Sequence, residues 1–360
     1  MKTTMKAQIF RAPFDLVLKD VAVPEIAENQ VLVKVRACGV CGSDLAYYAG
    51  KSPLDTADGK GPLILGHEFS GEIAKVGKLA KDLDLFKEGD RVLVNPVQNC
   101  NACPQCRRKQ VNLCKHTRTA GTSVNGAFAE YVAVNYTHVY KIPDAMSFET
   151  AALCEPLACA SYGIKKLDVK LGDFVVIFGP GTIGLMQLKL IRALGAGKIA
   201  MVGILDYGLN KALEMGADYA INTLDKNSPY YTDDVAAKIA ELSGGEMADK
   251  VIVPTAAKSA LQGALEVSGK CANIVYFGLP GEDTILEVPL LNTLKSDKTI
   301  NVSWLAPFTW DTAMKALRDG LVTAETFVTH KFKLEDLEEA IKFMMDNSKT
   351  EKIKAMITFD

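Results

Sequence analysis

The sequence predicts an α/β protein with two domains, and two observations lead to this prediction. The amino-terminal part carries short β-branched runs separated by turns, such as 31–35 and 92–94, which is typical of a mostly β region. From residue 174 onward, apolar strands alternate with amphipathic helices, which predicts βαβ units around a doubly wound parallel sheet. A chain of 360 residues is long enough to build two such cores.

Composition and charge favour a protein that acts on small molecules. The formal net charge is -2 and the sequence pI is about 6.2, so nothing indicates a nucleic-acid or anionic-membrane partner. No segment reaches the ~20 apolar residues that a membrane span needs, and the amino terminus has no signal-like run. The nine cysteines are not spread like a disulfide framework. We therefore expect reduced thiols and a cytoplasmic protein.

Four of the cysteines crowd into the lobe 99–114. Cys100, Cys103 and Cys106 are separated by two residues each, and Cys114 follows after seven more. Four thiolates so close together can close a tetrahedral zinc site that has no open position. Three alternatives stay open from the residues alone: an iron–sulfur cluster, a zinc ribbon that binds nucleic acid, and four ordinary buried cysteines.

A second candidate metal site is built around Gly66-His67-Glu68. Together with Cys41 and Glu155, these residues offer one thiolate, one imidazole and one or two carboxylates. This ligand set suits zinc and leaves a coordination position for a substrate. Taken singly, His67 could be a structural histidine whose ring nitrogens are hydrogen-bonded. Glu155 lies just before a proline and could be a charge at the start of a helix.

A glycine-rich turn predicts a dinucleotide site. It follows the apolar strand 174–178, opens a helix, and consists of Gly179, Pro180, Gly181, Thr182, Ile183 and Gly184. In this context the first glycine permits the tight turn, the second lets the backbone approach a pyrophosphate, and the third lets helix and strand pack closely. The helix amino terminus would then hold the phosphates.

The choice between the two nicotinamide cofactors depends on the end of the next strand. That strand ends at Gly203, and the first carboxylate is Asp206. An acid here binds the adenosine ribose and repels a 2′-phosphate, whereas an arginine would accept one. No arginine follows and Lys211 is the nearest cation, so NAD is favoured, although Gly203 leaves room for NADP.

Taken together, these motifs resemble the zinc-containing medium-chain dehydrogenase/reductase family over essentially the whole chain. The runs Cys41-Gly-Ser-Asp44 and Cys154-Glu-Pro-Leu157 are similar to its sorbitol, polyol and threonine dehydrogenase branch. The resemblance implies a GroES-like β-barrel catalytic domain from residues 1–158 and 304–360, and a Rossmann domain from 159–303. It also implies a cleft active site, two zinc ions per subunit, and homodimers or homotetramers.

The resemblance also implies roles for individual residues. Cys41 and His67 would hold the catalytic zinc with Glu68, and Glu155 would approach the zinc directly or through water and contact substrate. Ser43 would begin the proton relay, and Tyr47 would face the substrate. Two stretches would flank the nicotinamide: Phe277, Gly278 and Leu279, and Val302 to Trp304.

Two departures from the family pattern concern the substrate. Ala46 stands where family members often have histidine, and Leu305 and Ala306 stand where sorbitol dehydrogenases have an Arg-Tyr pair. None of these three side chains can hydrogen-bond a substrate hydroxyl. We therefore expect a more apolar pocket on that side.

The expected reaction is reversible oxidation of a secondary alcohol, such as a sugar alcohol or polyol, to a ketone. Zinc would lower the pKa of the bound hydroxyl, and a hydride would pass to the nicotinamide. Alternatives are an amino alcohol such as threonine, or a less polar or cyclic secondary alcohol. A zinc-free quinone or enoyl reductase of the same fold would lack His67-Glu68 and the cysteine lobe. A cofactor- or nucleic-acid-binding zinc protein is the non-enzymatic alternative.

Overall fold

The computed structural model describes residues 2–54 and 61–360. Contacts within the chain divide it into two compact units. The first comprises Met1–Pro156 and Trp310–Asp360, and the second comprises Leu157–Thr309. The first unit is therefore built from both ends of the chain.

The amino-terminal segment of the first unit consists mainly of strands. The strands are β1 (Thr4–Ala12), β2 (Asp15–Ala22), β3 (Gln30–Gly39), β4 (Leu63–Ile64), β5 (Glu68–Val76), β6 (Arg91–Val94), β7 (Val97–Gln98), β8 (Arg118–Thr119), β9 (Tyr131–Asn135) and β10 (Val139–Lys141). The helices are α1 (Gly42–Tyr48), α2 (Lys78–Asp82), α3 (Pro104–Arg107) and α4 (Phe148–Ala152). Helix α5 (Cys154–Leu167) begins in the first unit and continues into the second.

The second unit alternates strands and helices. Its strands are β11 (Phe174–Phe178), β12 (Lys198–Gly203), β13 (Tyr219–Asn222), β14 (Ala248–Val253), β15 (Ser268–Tyr276) and β16 (Thr299–Val302). Between them lie α6 (Thr182–Ala193), α7 (Asp206–Glu214), α8 (Val235–Ser243), α9 (Lys258–Val267) and α10 (Leu290–Lys295).

The carboxyl-terminal segment returns to the first unit. It forms α11 (Trp310–Arg318), α12 (Ala324–Phe327), β17 (Val328–Lys333), α13 (Leu337–Met345) and β18 (Lys354–Thr358). Strand β18 lies between β3 and β17 in a sheet of order β10-β6-β5-β3-β18-β17, with β9 also paired to β3. A smaller sheet has the order β2-β1-β4, and β7 pairs with β8.

The register of β3 brings three distant parts of the chain together. Gly39, the last residue of β3, pairs with Glu68 of β5 on one side and with Met356 of β18 on the other. Because side chains alternate along each strand, this register decides which groups meet at the end of β3. The first unit therefore collects chemical groups from positions near 40, 68 and 354.

The second unit is a doubly wound parallel sheet of order β13-β12-β11-β14-β15-β16. All its strand pairs are parallel, and β11, at the centre, is fully buried. This is why 174–178 reads as an unbroken apolar run rather than an alternating one. The order reverses between β11 and β14, and such a switch point is where this kind of sheet binds a ligand.

Candidate active site and metal centres

Cys41, His67 and Glu68 form a compact group of ligand atoms. One ligand atom from each lies within 4.8 Å of the others. Cys41 follows β3 and is the N-cap of α1, whereas Glu68 begins β5 directly after His67. His67 and Glu68 are buried, and Cys41 is half-buried.

Asp44 supports two members of this group. It is fully buried. Its Oδ2 accepts a hydrogen bond from the Cys41 backbone N–H at 2.8 Å, and its Oδ1 faces His67 Nδ1 at 3.6 Å. A carboxylate behind a histidine fixes the ring orientation and leaves the other ring nitrogen for a metal. Asp44 belongs to the run Cys41-Gly-Ser-Asp44, but the sequence pattern does not indicate this role.

The group fits a zinc ion. Among the described residues, Asp44 Oδ1 and His67 Nδ1 have no hydrogen-bond partner and face each other, so the carboxylate acts on the ring through its charge. Burial alone lowers the pKa of His67, but the negative charges of Asp44 and Cys41 outweigh it and hold that pKa well above its usual value. The site therefore favours a positive charge, and a thiolate, an imidazole and a carboxylate are ligands that zinc accepts.

The remaining predicted catalytic residues lie close by, with different roles open to them. Ser43 Oγ is 3.3 Å from His67 Nε2. Glu155, in the first turn of α5, is buried and raises the pKa of His67 through its charge, but the group of mutually close ligand atoms among the described residues does not include it. Tyr47 is buried in the core and donates its hydroxyl to the Thr122 carbonyl at 3.1 Å.

The four cysteines of the lobe 99–114 also converge. Cys100, Cys103, Cys106 and Cys114 each place Sγ within 4.8 Å of the others. The Sγ distances are 3.5 Å between Cys114 and Cys100 and 3.9 Å between Cys103 and Cys114. Zinc–sulfur bonds of about 2.3 Å in a tetrahedron require sulfurs about 3.8 Å apart. The lobe therefore has the dimensions of a closed zinc site.

Backbone donors surround these sulfurs. The N–H of Cys100 and that of His116 both donate to Cys114 Sγ, at 3.4 and 3.3 Å. Backbone N–H groups of Cys106 and Lys115 lower the pKa of Cys103 to about 6, and burial raises the pKa of Cys106 to about 12. Four thiols this close cannot all ionise without a cation, and a dication would resolve that conflict.

The glycine-rich turn of the second unit has the geometry that its sequence predicts. Gly179 has φ +113, a conformation that side chains rarely adopt. A Cβ on Gly184 would overlap the Gly179 carbonyl oxygen, whereas a Cβ on Gly181 would meet nothing within 4 Å. Gly181 therefore leaves the approach to the amino terminus of α6 open. Thr182 and Ile183 form the first turn of that helix.

Asp206 is the first residue of α7 and is held in place by two partners. Its Oδ1 accepts hydrogen bonds from Asn222 Nδ2 and Ser228 Oγ, both at 2.7 Å. The usual position of a ribose-binding acid, the strand end, is Gly203, where a Cβ would lie 2.7 Å from Pro180 Cδ. Pro180 thus leaves no space for a side chain at Gly203. Asn222 and Ser228 cannot be predicted from the sequence, because no motif marks them.

The stretch predicted to flank the nicotinamide follows β15. Phe277 and Gly278 both donate their backbone N–H to the Val253 carbonyl, at 3.1 and 3.0 Å. A Cβ on Gly278 would overlap the backbone of Thr255, so this chain crossing requires glycine. Leu279 is partly exposed.

Comparisons with known proteins agree with these geometries. The family model for the alcohol dehydrogenase GroES-like domain matches residues 27–144, and that for zinc-binding dehydrogenases matches 182–319. Sorbitol dehydrogenase of Bacillus subtilis is 32% identical over 356 residues, covering 98% of this chain and 97% of the relative. This chain belongs to the zinc-type alcohol dehydrogenase family. D-arabitol-phosphate dehydrogenase of Enterococcus avium is also 32% identical, over 364 residues, covering 99% and 98%.

Solved structures of dehydrogenases superpose on nearly the whole chain. A zinc-binding dehydrogenase from Sinorhizobium meliloti bound to NADP has a TM-score of 0.90 at 26% identity, covering 99% of this chain and 100% of that one. A structure described as a short chain alcohol dehydrogenase from Escherichia coli, complexed with NADH, has a TM-score of 0.89 at 28% identity, with the same coverage. The predicted family, fold class and zinc-dependent alcohol dehydrogenase activity are confirmed. No helix in the described ranges is long and apolar enough to cross a membrane.

Proposed function

We propose that this chain oxidises a secondary alcohol of the polyol class to a ketone, with NAD as the preferred hydride acceptor. The observation that carries the proposal is the convergence of Cys41, His67 and Glu68 within 4.8 Å, with Asp44 behind two of them. A zinc ion held there supplies Lewis acidity that lowers the pKa of an alcohol, and the nicotinamide supplies the hydride acceptor.

Residues of this chain would hold the metal and accept the proton of the substrate hydroxyl. Cys41 and His67 are the primary ligands in this proposal, and Glu68 contributes a carboxylate oxygen. Glu155 adds negative charge near His67 and would contact the site directly or through water. Ser43, whose hydroxyl lies 3.3 Å from His67 Nε2, would accept the proton from the substrate hydroxyl.

The second unit would hold the dinucleotide. Its pyrophosphate would lie beside Gly181, where no other atom blocks access to the amino terminus of α6. The backbone N–H groups of the first turn of α6 would then bind the phosphates. Asp206 would bind the adenosine ribose, and its negative charge would disfavour a 2′-phosphate. Phe277, Gly278 and Leu279 would flank the nicotinamide.

The substrate pocket is proposed to be less polar than that of a sorbitol dehydrogenase. Leu305 and Ala306 replace an Arg-Tyr pair, and Ala46 replaces a histidine. The relatives named above act on sorbitol and on D-arabitol phosphate, which makes a polyol the first candidate. A less polar or cyclic secondary alcohol is the second candidate, because the three substitutions remove hydrogen-bonding groups. Tyr47 stays a predicted substrate contact, although its hydroxyl is engaged by Thr122.

The cysteine lobe is proposed to bind a second, structural zinc ion. Its fold offers few apolar contacts besides the cysteines themselves and Val111, so a metal would stabilise it. All nine cysteines are free thiols, and this supports a cytoplasmic location, where thiols stay reduced.

The protein is proposed to assemble as a homodimer or homotetramer. Strand β16 is an edge of its sheet, and it carries the exposed side chain of Val302. Helix α10 exposes Leu290, Leu291 and Leu294. An unprotected apolar edge of this kind favours pairing with a second copy. Sedimentation of the wild type and of Val302→Lys tests this, and a monomeric wild type contradicts it.

The proposed function is tested by initial rates of NAD⁺ and NADP⁺ reduction. The substrates are linear polyols, inositols, threonine and simple secondary alcohols, each with and without a chelator. We expect chelator-sensitive turnover with a polyol or vicinal diol, retained in the exposed-cysteine control Cys271→Ser. Turnover that is insensitive to complete zinc removal would overturn the proposal.

A further inference from the structure

Lys354 is a buried cation that the proposed mechanism does not use. It begins β18 and is 3% exposed. Among the buried polar and charged side chains of the described residues, no other lysine and no arginine occurs. A charged amine is rarely buried unless it is paired, so the surroundings of Lys354 should explain its presence.

Those surroundings consist of the candidate metal site. Lys354 Nζ forms an ion pair with Glu68 Oε2 and donates a hydrogen bond to the Val40 carbonyl at 2.9 Å. The charges of Glu68, Cys41 and Asp44 all favour the ammonium form and raise the pKa of Lys354, even though burial opposes this. Lys354 thus lies on the side of Glu68 that carries Oε2.

Gly39 keeps the space that this pair occupies. A Cβ at Gly39 would overlap Glu68 Oε2 and lie 2.9 Å from Lys354 Cε. The pair is therefore packed against the backbone at the end of β3, and neither side chain can be displaced toward it. The strand register explains the arrangement, because Gly39 pairs with Glu68 on one side and with Met356 of β18 on the other.

The charges of the site also depend on Lys354. Cys41, Asp44, Glu68 and the nearby Glu155 carry four negative charges when ionised, whereas a zinc ion supplies two positive ones. Lys354 supplies a third positive charge and places it against Glu68. Without it, the buried Glu68 carboxylate would lose the cation with which Oε2 pairs.

We propose that Lys354 is a positioning residue of the catalytic metal site: it holds Oε2 of Glu68 away from the metal, so that Glu68 offers one oxygen and a coordination position stays open for substrate. This inference rests on the proposed function of Cys41, His67 and Glu68. It concerns how one coordination position of the metal is kept open, and none of the sequence motifs indicates this.

The test compares Lys354→Met with Lys352→Met in the zinc-loaded protein. Lys352 is a matched control, since its Nζ binds carbonyls at the end of α13 and does not contact Glu68. Two readouts are independent of turnover: the rate of zinc release to a chelator, and the visible absorption of the cobalt-substituted protein, which reports coordination number. In Lys354→Met we expect Glu68 to bind the metal with both oxygens. The catalytic zinc should then leave about tenfold more slowly, because a second metal–oxygen bond has to break before release, and the cobalt bands should weaken.

The opposite result separates positioning from a general structural role. If Lys354 only stabilises packing, its loss loosens the site, zinc leaves faster, and the cobalt spectrum keeps its wild-type shape; this overturns the proposal. The double variant Glu68→Gln/Lys354→Met should abolish the slow release, because the neutral amide is a poor second ligand. A slow release that persists in the double variant also contradicts the proposal.

A second variant, Gly39→Ala, keeps the charge of Lys354 and tests the proposal even if Lys354→Met fails to fold. Gly39→Ala pushes Glu68 Oε2 away from the β3 backbone, and we expect the same slower release and weaker cobalt bands. Unchanged release and spectrum in folded Gly39→Ala would overturn the proposal. Failure of the proposed function is distinguishable, since the wild type would then hold no chelator-sensitive zinc at the Cys41 site.

Discussion

The two units of this chain collect their functional residues in different ways. In the second unit, the proposed dinucleotide site begins with one continuous turn, Gly179 to Gly184, between β11 and α6. In the first unit, the proposed catalytic site joins Cys41, the adjacent residues His67 and Glu68, and Lys354, which come from three separate segments and from both ends of the chain. A local motif needs only a correct turn, whereas an assembled site needs a correct strand register.

This difference implies that the two units should respond separately to substitution. Changes at Cys41 or His67 should affect metal and chemistry but leave the glycine turn intact. Changes near Gly181 or Asp206 should affect the dinucleotide and leave zinc content intact. Substitutions in each unit therefore test this separation.

His67→Ala should lower turnover by about a thousandfold or more, because it removes a metal ligand and the metal carries the chemistry. NADH binding, followed by its fluorescence, should stay within a fewfold of wild type. Cys38→Ala is the control, since Cys38 is a buried neighbour outside the group of ligand atoms. Loss of NADH binding in folded His67→Ala would break the proposed separation of the two units.

Cys103→Ser should act on stability before it acts on chemistry. Structural zinc contributes about 10–16 kcal/mol to small zinc-dependent folds, and replacing one of four thiolates forfeits much of this. We expect the zinc content to fall from two to one per chain and the Tm to drop by several degrees. Cys271→Ser, at an exposed cysteine, should change neither. A stable, fully active Cys103→Ser protein with one zinc would contradict a structural role for the lobe.

Asp44→Asn should weaken the catalytic site by a smaller factor. The amide keeps the size of Asp44 but removes the charge that faces His67 Nδ1. Loss of such a supporting carboxylate typically lowers metal affinity about 10- to 100-fold. Competition with a chelator should show this change for one zinc per chain only. Equal weakening of both zinc ions would mean that Asp44 acts on the fold as a whole.

Much of this organisation can be predicted from the sequence, and the exceptions share a physical cause. The cysteine spacing predicts the lobe because its ligands lie within one loop, and the glycine turn predicts the dinucleotide site for the same reason. Lys354 could not be predicted, since it meets the Val40 carbonyl across 314 positions through a strand register that no motif encodes. Asp44 lay within a quoted motif, but only its two contacts to Cys41 and His67 give it a role.

Substitution of Asp206 should have the smallest effect, and it tests the second unit alone. If its charge rejects a 2′-phosphate, Asp206→Asn should improve NADP⁺ relative to NAD⁺ by about tenfold in Kd, with unchanged zinc content. Ser228→Ala removes one of the two groups that hold Oδ1 and should shift the same ratio less, since the charge stays. Asp225→Asn is the charge-matched control, because Asp225 accepts a hydrogen bond from the Asn227 backbone N–H within its own loop.

Because Pro180 leaves no space for a side chain at Gly203, an unchanged ratio in Asp206→Asn would mean that neither position selects the cofactor. The preference would then have to come from the ends of other strands in the sheet.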